Sequence, residues 1–320
     1  MAIFRHTKDL PAAARGAVVV IGNFDGVHRG HQLLLADARR QADALGAPLA
    51  VLTFEPHPRS VFLPDQPPFR LTSLRAKAHA LQEAGIDDLF VLHFDRAFSL
   101  KTAEAFVVEI LVGDLAARHV VVGWDFCFGH KRAGNAGLLK SMGAQHGFGV
   151  TAVEPVMTGE GEVYSSSIIR AHLREGRPRK AVELLGRPWE IEGRVEHGDR
   201  RGRTIGFPTA NLTLGDYLRP ATGVYAVHAG RDPGVEHGGE TRWLPGVANF
   251  GRRPTVAGED LRLEVHLFDF TDDIYGETLR VRLIDFIRAE KKFDGLDALQ
   301  AQIALDCGEA RAILAESRFA

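Results

Sequence analysis

Residues 18–35, VVVIGNFDGVHRGHQLLL, decide the fold of the first half of this chain. An apolar run stops at Gly22, and two histidines, His28 and His31, follow at the start of an amphipathic segment. This order predicts a buried strand, a glycine-rich turn and then a helix. A helix N-terminus offers unpaired N–H groups and the positive end of the helix dipole, so the stretch predicts a phosphate site.

Length and composition indicate a two-domain globular protein. A single hydrophobic core stops growing near about 250–300 residues, and this chain has 320. The net charge of −2 argues against a large basic nucleic-acid surface, and the two cysteines have neither metal nor disulfide spacing. No apolar run approaches the ~18 residues of a membrane span, and the N-terminus lacks a signal-peptide core. We therefore expect a cytoplasmic protein.

The first half alternates short apolar runs with amphipathic segments. We expect strands at residues 17–22, 49–54, 88–94, 119–123 and 150–155, and helices at 30–45 and 73–84. Continuous apolar runs are typical of parallel strands that are covered on both faces. The pattern predicts an α/β, doubly wound, Rossmann-like sheet whose ligands bind beyond the carboxyl ends of its strands.

The second half has a different period. Apolar and polar residues alternate in LRLEVHLFDF (261–270) and TLRVRL (278–283), which indicates half-buried antiparallel strands and a small β-barrel. We expect a terminal helix to begin near Asp294 as its N-cap. Its apolar stripe would consist of Leu296, Leu299, Ile303, Cys307, Ala310 and Leu314. Glycine and proline punctuation near Arg187 divides the chain into domains 1–186 and 187–320.

The two histidines of the opening stretch are three residues apart and share one helix face. There they can donate hydrogen bonds to phosphate oxygens as negative charge builds up. Two surface histidines or a metal pair are the alternatives for this spacing alone. The full string Gly-x-Phe-Asp-Gly-x-His-x-Gly-His is more specific, and it resembles the signature of the nucleotidylyltransferase superfamily.

Three further motifs follow predicted strands. They are TFEPHP (53–58), GWDFCFGHKRAGN (123–135) and SSSIIR (165–170). Each alone is better explained as a loop, a turn or a helix cap. Their shared position at carboxyl ends of strands in one sheet favours a common ligand site.

The stretch GRVEHGDRRGRTIGFPTANL (193–212) predicts a flexible loop formed by Gly193, Gly198, Gly202 and Gly206 beside several arginines. A basic hairpin tip or a nucleic-acid patch would have the same composition. Thr209 and Asn211 are two apart on extended backbone, point the same way, and supply hard oxygen ligands suited to Mg²⁺. Glu264, on the polar face of its strand, is either a solvated glutamate or a general base.

Over essentially its whole length the chain resembles the bacterial bifunctional riboflavin kinase/FAD synthetase family. In that family the N-terminal domain is an FMN adenylyltransferase. The resemblance implies that His28 and His31 stabilise the ATP phosphates, and it places His57 at the flavin substrate. It assigns nucleotide binding to Gly22, Phe24, Gly30, Asp125, Ser166, Ser167 and Arg170. Ser167 stands where the family commonly has threonine, so a hydroxyl is kept.

The C-terminal motifs GRTIGFPTAN, GVYAV, GRRPT, EVHLFDF and IYG occur in the order of the riboflavin kinase domain. The resemblance assigns Thr209 and Asn211 to Mg²⁺ with ATP, and Glu264 to catalysis. It further places Gly198 and Arg203 at the nucleotide. The residues expected near the flavin are Asn249, Arg253 and Thr255.

The resemblance implies two reactions with riboflavin, FMN and ATP as substrates, Mg²⁺ as cofactor, and neither nucleic acid nor membrane as partner. The oligomeric state stays open. Two alternatives remain: a chain with one active domain, or a non-catalytic flavin- or nucleotide-binding regulator. RNA contact by such a regulator would use Arg170, Arg174, Arg177, Arg179 and Lys180, a cluster that is also typical of a solvated helix face.

Overall fold

The computed structural model describes residues 1–159, 161–197, 206–232, 241–255 and 258–319, with the backbone alone for 252–255 and 258–260. These residues form two compact units. The first comprises Met1–Gln66 and Lys77–Tyr164, and the second comprises Pro67–Ala76 and Ser165–Ala320. The boundary of compact structure thus falls at 164/165, while the boundary of activities at 186/187 stays a prediction.

The first unit is built on a parallel sheet with the order β1-β4-β3-β2-β5-β8. In chain order its strands and a small separate ribbon (β6 and β7) are β1 (Ala2–Phe4), β2 (Val18–Ile21), β3 (Leu49–Glu55), β4 (Asp88–His93), β5 (His119–Gly123), β6 (Cys127–Phe128), β7 (Gly134–Asn135) and β8 (Gly149–Val153). All five strands expected from the apolar runs are present. The edge strand β1, which pairs with β4, was not predicted.

Helices cover both faces of this sheet. They are α1 (Arg29–Leu45), α2 (Pro58–Phe62), α3 (Leu74–Glu83), α4 (Ala103–Ala105), a wider π-type helix (Phe106–Asp114) and α5 (Ala136–His146). Val19 and Ile21 of β2 share a core with the π-type helix. Their neighbours Val18 and Val20 are also fully buried, and α1 contacts β2, β3 and β5. The doubly wound α/β prediction is therefore confirmed.

The strand order reverses between β2 and β5. Strands β3 and β4 lie on one side of β2, and strands β5 and β8 lie on its other side. In doubly wound sheets the ligand crevice opens at this reversal, beyond the carboxyl ends of the strands. The register pairs Val20 with Val121. Two residues further along, it brings Gly22 level with Gly123, the first residues of two predicted motifs.

The second unit contains a closed antiparallel barrel with the order β10-β13-β12-β11-β14-β9, which confirms the predicted barrel. Its strands are β9 (Trp189–Glu196), β10 (Ala210–Thr213), β11 (Gly223–Arg231), β12 (Leu244–Thr255), β13 (Gly258–Leu267) and β14 (Thr278–Ala289). Its helices are α6 (Ser166–Arg174), α7 (Pro178–Leu185) and the terminal α8 (Leu296–Ala315). Helix α8 packs Ala310 and Leu314 against the barrel residues Val224 and Ala226.

Three local predictions were wrong. The N-cap position of α8 is Gly295, with φ 157° and no side-chain cap, and not Asp294. Leu296 is 68 % exposed, because the buried face of α8 is centred on its C-terminal half. Gly193 belongs to strand β9, opposite Leu279 of β14, and not to a loop.

Within the described parts of the chain, the search for a helix long and apolar enough to span a bilayer finds none.

Candidate functional site

The loop between β2 and α1 carries the predicted N-terminal site residues and has an unusual backbone. Phe24 and Val27 have positive φ angles of 48° and 42°, and Gly26 has 90°. A positive φ is costly for a bulky or β-branched residue, so surrounding contacts must hold this loop. The Gln32 side-chain amide donates to the Val27 carbonyl at 2.9 Å, and the Thr53 hydroxyl donates to the Asn23 carbonyl at 3.3 Å.

This loop brings His28 and His31 together at the start of α1. His28 occupies the N-cap position with φ −70° and ψ 170°. The two imidazoles stack with centroids 3.6 Å apart and 22° between planes. Phe24, only 2 % exposed, packs its ring 4.9 Å from that of His31. The predicted pair on one helix face is present, and it lies beside the helix N-terminus that favours an anion.

Gly30 is required by the closeness of this packing. A Cβ at this position would lie 3.0 Å from the Tyr164 Cβ and 3.1 Å from the His28 Nδ1. Gly22 plays a similar role for Phe24, because a Cβ there would lie 3.1 Å from the phenyl ring. Both glycines therefore allow aromatic rings to sit close to the backbone.

His57 and Asp125 follow β3 and β5 at the same edge of the sheet. His57 is 8 % exposed, and its Nδ1 accepts a hydrogen bond from the Arg59 backbone N–H at 3.1 Å. This bond makes Nδ1 the acceptor, so a neutral ring carries its proton on Nε2. Asp125 is exposed in the turn after Gly123. A Cβ added at Gly123 would lie 3.3 Å from the Oδ1 of Asp125. Both positions agree with the predicted motif placement, and their ligands stay predictions.

The SSSIIR motif lies in the second compact unit. Ser165 is the N-cap of α6 and accepts from the Ile168 N–H at 3.3 Å, so Ser166 and Ser167 are the first two helical residues. Arg170 is buried, donates from Nε to the Phe69 carbonyl at 2.8 Å, and lies 5.4 Å over the Phe69 ring. The part that these three residues play in phosphate binding stays a prediction.

Three predicted residues of the barrel lie side by side on adjacent strands. Glu264 of β13 is paired directly with Asn211 of β10 on one side and with Asn249 of β12 on the other. Directly paired residues in antiparallel strands point to the same face with their Cβ atoms about 4.5–5.5 Å apart. Asn211 is buried and Glu264 is half-buried, so the row combines a carboxylate and two amides at low exposure.

A cavity of about 400 Å³ opens next to this row. Thr209 and Asn211 both line it, together with Phe270, Asp272 and Tyr275. Glu264 is not among the described lining residues, although the next residue, Val265, is. The two predicted metal ligands therefore line the same cavity as an acidic and aromatic wall, which is formed by Phe270, Asp272 and Tyr275.

The donor set at Thr209 and Asn211 is suited to a hard cation. The Asn211 side-chain nitrogen donates to the Thr209 carbonyl at 3.5 Å. This bond turns the Asn211 Oδ1 away from the Thr209 carbonyl. A hydroxyl and an amide oxygen fit Mg²⁺ that keeps several waters and binds substrate phosphates. In the described portion of the chain, no cluster of three or more His, Cys, Asp or Glu side chains could hold a metal by itself. A phosphate-bound Mg²⁺ needs no such cluster.

The remaining flavin and nucleotide predictions are less defined by the structure. Arg253 and Thr255 lie in β12, opposite Asp260 and Gly258 of β13, by backbone register alone. Gly198 and Arg203 lie outside the described residues.

Sequence reasoning gave no site role to the acidic and aromatic wall of the cavity, although the motifs EVHLFDF and IYG contain Phe270 and Tyr275. Asp272 accepts from Arg231 at 3.2 Å, and the Tyr275 ring stacks on His197 with centroids 4.0 Å apart. The detectable signal was the acidic turn TDDIYG (271–276), which follows Phe270, shortly after the strand that carries Glu264 ends at Leu267.

Comparisons with known proteins agree with this arrangement. A family model described as FAD synthetase matches residues 10–167, and one described as riboflavin kinase matches residues 185–314. A bifunctional riboflavin kinase/FMN adenylyltransferase of Escherichia coli K12 is 44 % identical over 310 residues, covering 96 % of each chain. The protein of the same name from Bacillus subtilis is 40 % identical over 301 residues, covering 92 % of this chain and 91 % of its own.

A crystal structure described as a macrolide-efflux protein of Streptococcus pneumoniae superposes with a TM-score of 0.83 at 34 % identity, and covers 97 % of this chain and 98 % of that one. That description belongs to the neighbour, and what the two chains share is the fold. Two family models in tandem and relatives matched over almost their whole length lead to one conclusion: the chain belongs to the bifunctional riboflavin kinase/FMN adenylyltransferase family.

Proposed function

We propose that this chain makes FAD from riboflavin in two steps, with one ATP consumed at each of two sites. The barrel phosphorylates riboflavin to FMN, and the parallel-sheet unit transfers the adenylyl group of a second ATP to FMN. The observation that carries the proposal is the presence of both family matches in one chain, residues 10–167 and 185–314. The predicted site residues described above lie within those two ranges, except for Arg170, which falls between them.

In the first step, Glu264 takes the proton of the riboflavin 5′-hydroxyl as its oxygen attacks the γ-phosphorus of ATP. The new O–P bond forms as the bond to the bridging oxygen breaks, and FMN and ADP result. A well-placed general base contributes about 10²–10⁴-fold in rate. The adjacent amides of Asn211 and Asn249 support this role, since they can hold the reacting groups beside the carboxylate.

Thr209 and Asn211 would hold Mg²⁺ together with the phosphates of ATP. When bound, Mg²⁺ neutralises charge on the transferred phosphoryl group. The chain's own part is to orient the nucleotide, and the cavity next to Glu264 is suited to this. Gly198 and Arg203 are proposed to contact the same nucleotide, and Arg253 and Thr255 to lie near the flavin.

In the second step, a phosphate oxygen of FMN attacks the α-phosphorus of ATP, and pyrophosphate leaves. The FMN phosphate needs no protein base, because phosphomonoesters lose their second proton near pH ~6. His28 and His31 are proposed to donate hydrogen bonds to the phosphate oxygens as charge develops. Loss of one such donor typically costs about 10²–10³ in rate.

The other N-terminal residues would complete that site. Gly22, Phe24 and Gly30 shape the nucleotide cradle, and Asp125 lies at the adenosine. His57 is proposed to face the flavin. Ser166, Ser167 and Arg170, which lie in the second compact unit, are proposed to bind phosphate, as the resemblance to the adenylyltransferase motifs implies.

We place these reactions in the cytoplasm, with small-molecule partners and no nucleic acid. The test is chromatography of the products formed from riboflavin, ATP and Mg²⁺, in which FMN should precede FAD. Formation of FMN without FAD would favour a chain with only an active kinase domain. Formation of FAD from supplied FMN, but of neither product from riboflavin, would favour a chain with only an active adenylyltransferase domain. Flavin or RNA binding without turnover would favour a regulator.

A further inference from the structure

Lys77, on α3 in the first unit, is among the largest side chains that the structure buries completely, with 1 % exposure. A lysine is almost never fully buried unless its charge is compensated, because transfer of an ammonium from water is costly. Leucine or methionine would fill the same space without that cost. The position of this ammonium therefore calls for a role beyond packing.

The Lys77 ammonium donates to the Thr53 hydroxyl with an Nζ–Oγ1 distance of 3.3 Å. Thr53, at 0 % exposure, is the fifth residue of β3 and lies at the carboxyl edge of the sheet. Its hydroxyl in turn donates to the Asn23 carbonyl at 3.3 Å. A carbonyl oxygen can only accept, so the hydroxyl gives its one proton to Asn23 and accepts from Lys77 through a lone pair. Accepting from a cation also polarises the hydroxyl and strengthens its own donation.

Asn23 begins the strained loop that ends at His28. The two residues with unfavourable positive φ angles, Phe24 and Val27, lie between Asn23 and His28. The carbonyls at the two ends of this strained stretch are both held by side chains: Asn23 by Thr53 and Val27 by Gln32. Without these bonds the loop can relax, and Phe24 and His28 move with it.

We propose that Lys77 is a positioning residue for adenylyl transfer, which acts through Thr53 and the Asn23 carbonyl to hold the loop that places Phe24 and His28. The inference rests on the proposed function of this unit. Lys77 touches neither substrate in this account. Its effect is on the geometry of the histidine pair and so on the chemical step.

The decisive variant is Thr53→Val, which keeps the size and branching of the side chain and removes the hydroxyl. We expect the kcat of FMN adenylylation to fall about tenfold or more, because small misplacements of reacting groups have effects of this order. The KM for ATP should change less than twofold. Thr53→Ser restores the hydroxyl and should restore kcat, while Lys77→Met should reproduce the loss.

Riboflavin phosphorylation by the same preparations serves as an internal reference. Thr151→Val is a matched control, because Thr151 is another hydroxyl of the sheet, bonded to His119 and Gln41 and not to the loop. It should keep wild-type adenylylation. A Thr53→Val protein with wild-type kcat, or one that loses both activities together, would overturn the inference. A wild-type chain that makes no FAD from FMN would instead refute the proposed function.

Discussion

Asn211 and Glu264 lie directly opposite each other on neighbouring strands of the barrel. This pairing puts a candidate metal ligand and a candidate base on one face, although 52 residues of sequence separate them (264 − 211 − 1). The closed barrel fixes their spacing through its hydrogen-bond register, so the relation does not depend on loop conformation. Binding and proton transfer can therefore be tested one residue at a time.

Glu264→Gln keeps the shape of the side chain and removes its basicity. We expect riboflavin phosphorylation to fall at least about 10²-fold, the usual contribution of a general base, while supplied FMN is still converted to FAD. Product chromatography measures both activities. Glu277→Gln removes an exposed glutamate that pairs with Arg231 and is the matched control. Normal FMN formation by Glu264→Gln would leave Glu264 as a solvated strand residue.

Thr209→Ala removes one oxygen donor from the candidate Mg²⁺ site. We expect the Mg²⁺ concentration for half-maximal phosphorylation to rise several-fold, because fewer protein oxygens then fix the metal–ATP complex. A titration of kinase activity with Mg²⁺ at fixed ATP measures the change. Thr213→Ala, at the far end of the strand that follows Thr209, removes a hydroxyl bonded to Glu196 and should leave the midpoint unchanged. Equal midpoints for Thr209→Ala and wild type would show that Thr209 does not hold the metal.

Gly30→Ala tests the closeness of the backbone to His28. Alanine favours the helix by about 1 kcal/mol over glycine, yet its Cβ would lie 3.1 Å from the His28 Nδ1. We expect FAD formation to fall about tenfold through displacement of the imidazole. Because the gain in helix propensity offsets the tight contacts with His28 and with the Tyr164 Cβ at 3.0 Å, we expect thermal stability close to that of wild type. Calorimetry and adenylylation kinetics of one preparation provide the comparison. Full activity would show that the ring position does not matter.

Glu192, in the second unit, gives the chain a pH-dependent stability. Its Oε2 accepts from the Ser73 hydroxyl at 3.0 Å, while Oε1 is buried. Burial, and next the charge of Glu190, raise its pKa from 4.5 to about 7. Between these values the folded state holds a proton that the unfolded state has lost. The stabilisation is full below pH 4.5 and is lost as the pH rises through 7.

Glu192→Gln should therefore match wild type near pH 5 and exceed it at pH 8. The expected gain in free energy of unfolding is ~2–3 kcal/mol, since each pKa unit is about 1.4 kcal/mol. Urea unfolding across pH 5 to 8 measures the difference. Glu183→Gln, an exposed glutamate paired with Lys180, is the control and should show no such trend. Parallel curves for Glu192→Gln and wild type would rule out this titration.

The sequence could predict the sheet, the barrel and the histidine pair because each has a short-range signal. Continuous apolar runs indicate β2 to β5, and alternation indicates β13 and β14. Edge strand β1 has three residues and no such run. Gly193 resembles a loop glycine, but strand pairing with Leu279 overrides its weak propensity.

The supporting residues of the sites had no local signal. Lys77 reads as an ordinary helix lysine, and only the folded chain brings it to Thr53. Likewise Asp272 reads as a turn residue, and the cavity beside Asn211 depends on barrel closure. Contacts between residues that are distant in the sequence determine where such side chains lie, and these contacts leave no periodic pattern in a single sequence.

We expect the chain to hold two separable sites, and a mixing experiment is the sharpest test of their separation. With riboflavin, ATP and Mg²⁺, His31→Ala should make FMN but no FAD, and Glu264→Gln should make neither. His146→Ala, at the exposed end of α5, is the control for the first variant and should make both products. Mixing the two variants should restore FAD, as free FMN made by His31→Ala passes to Glu264→Gln. A His31→Ala protein unable to make FMN, or a mixture that makes no FAD, would contradict the account.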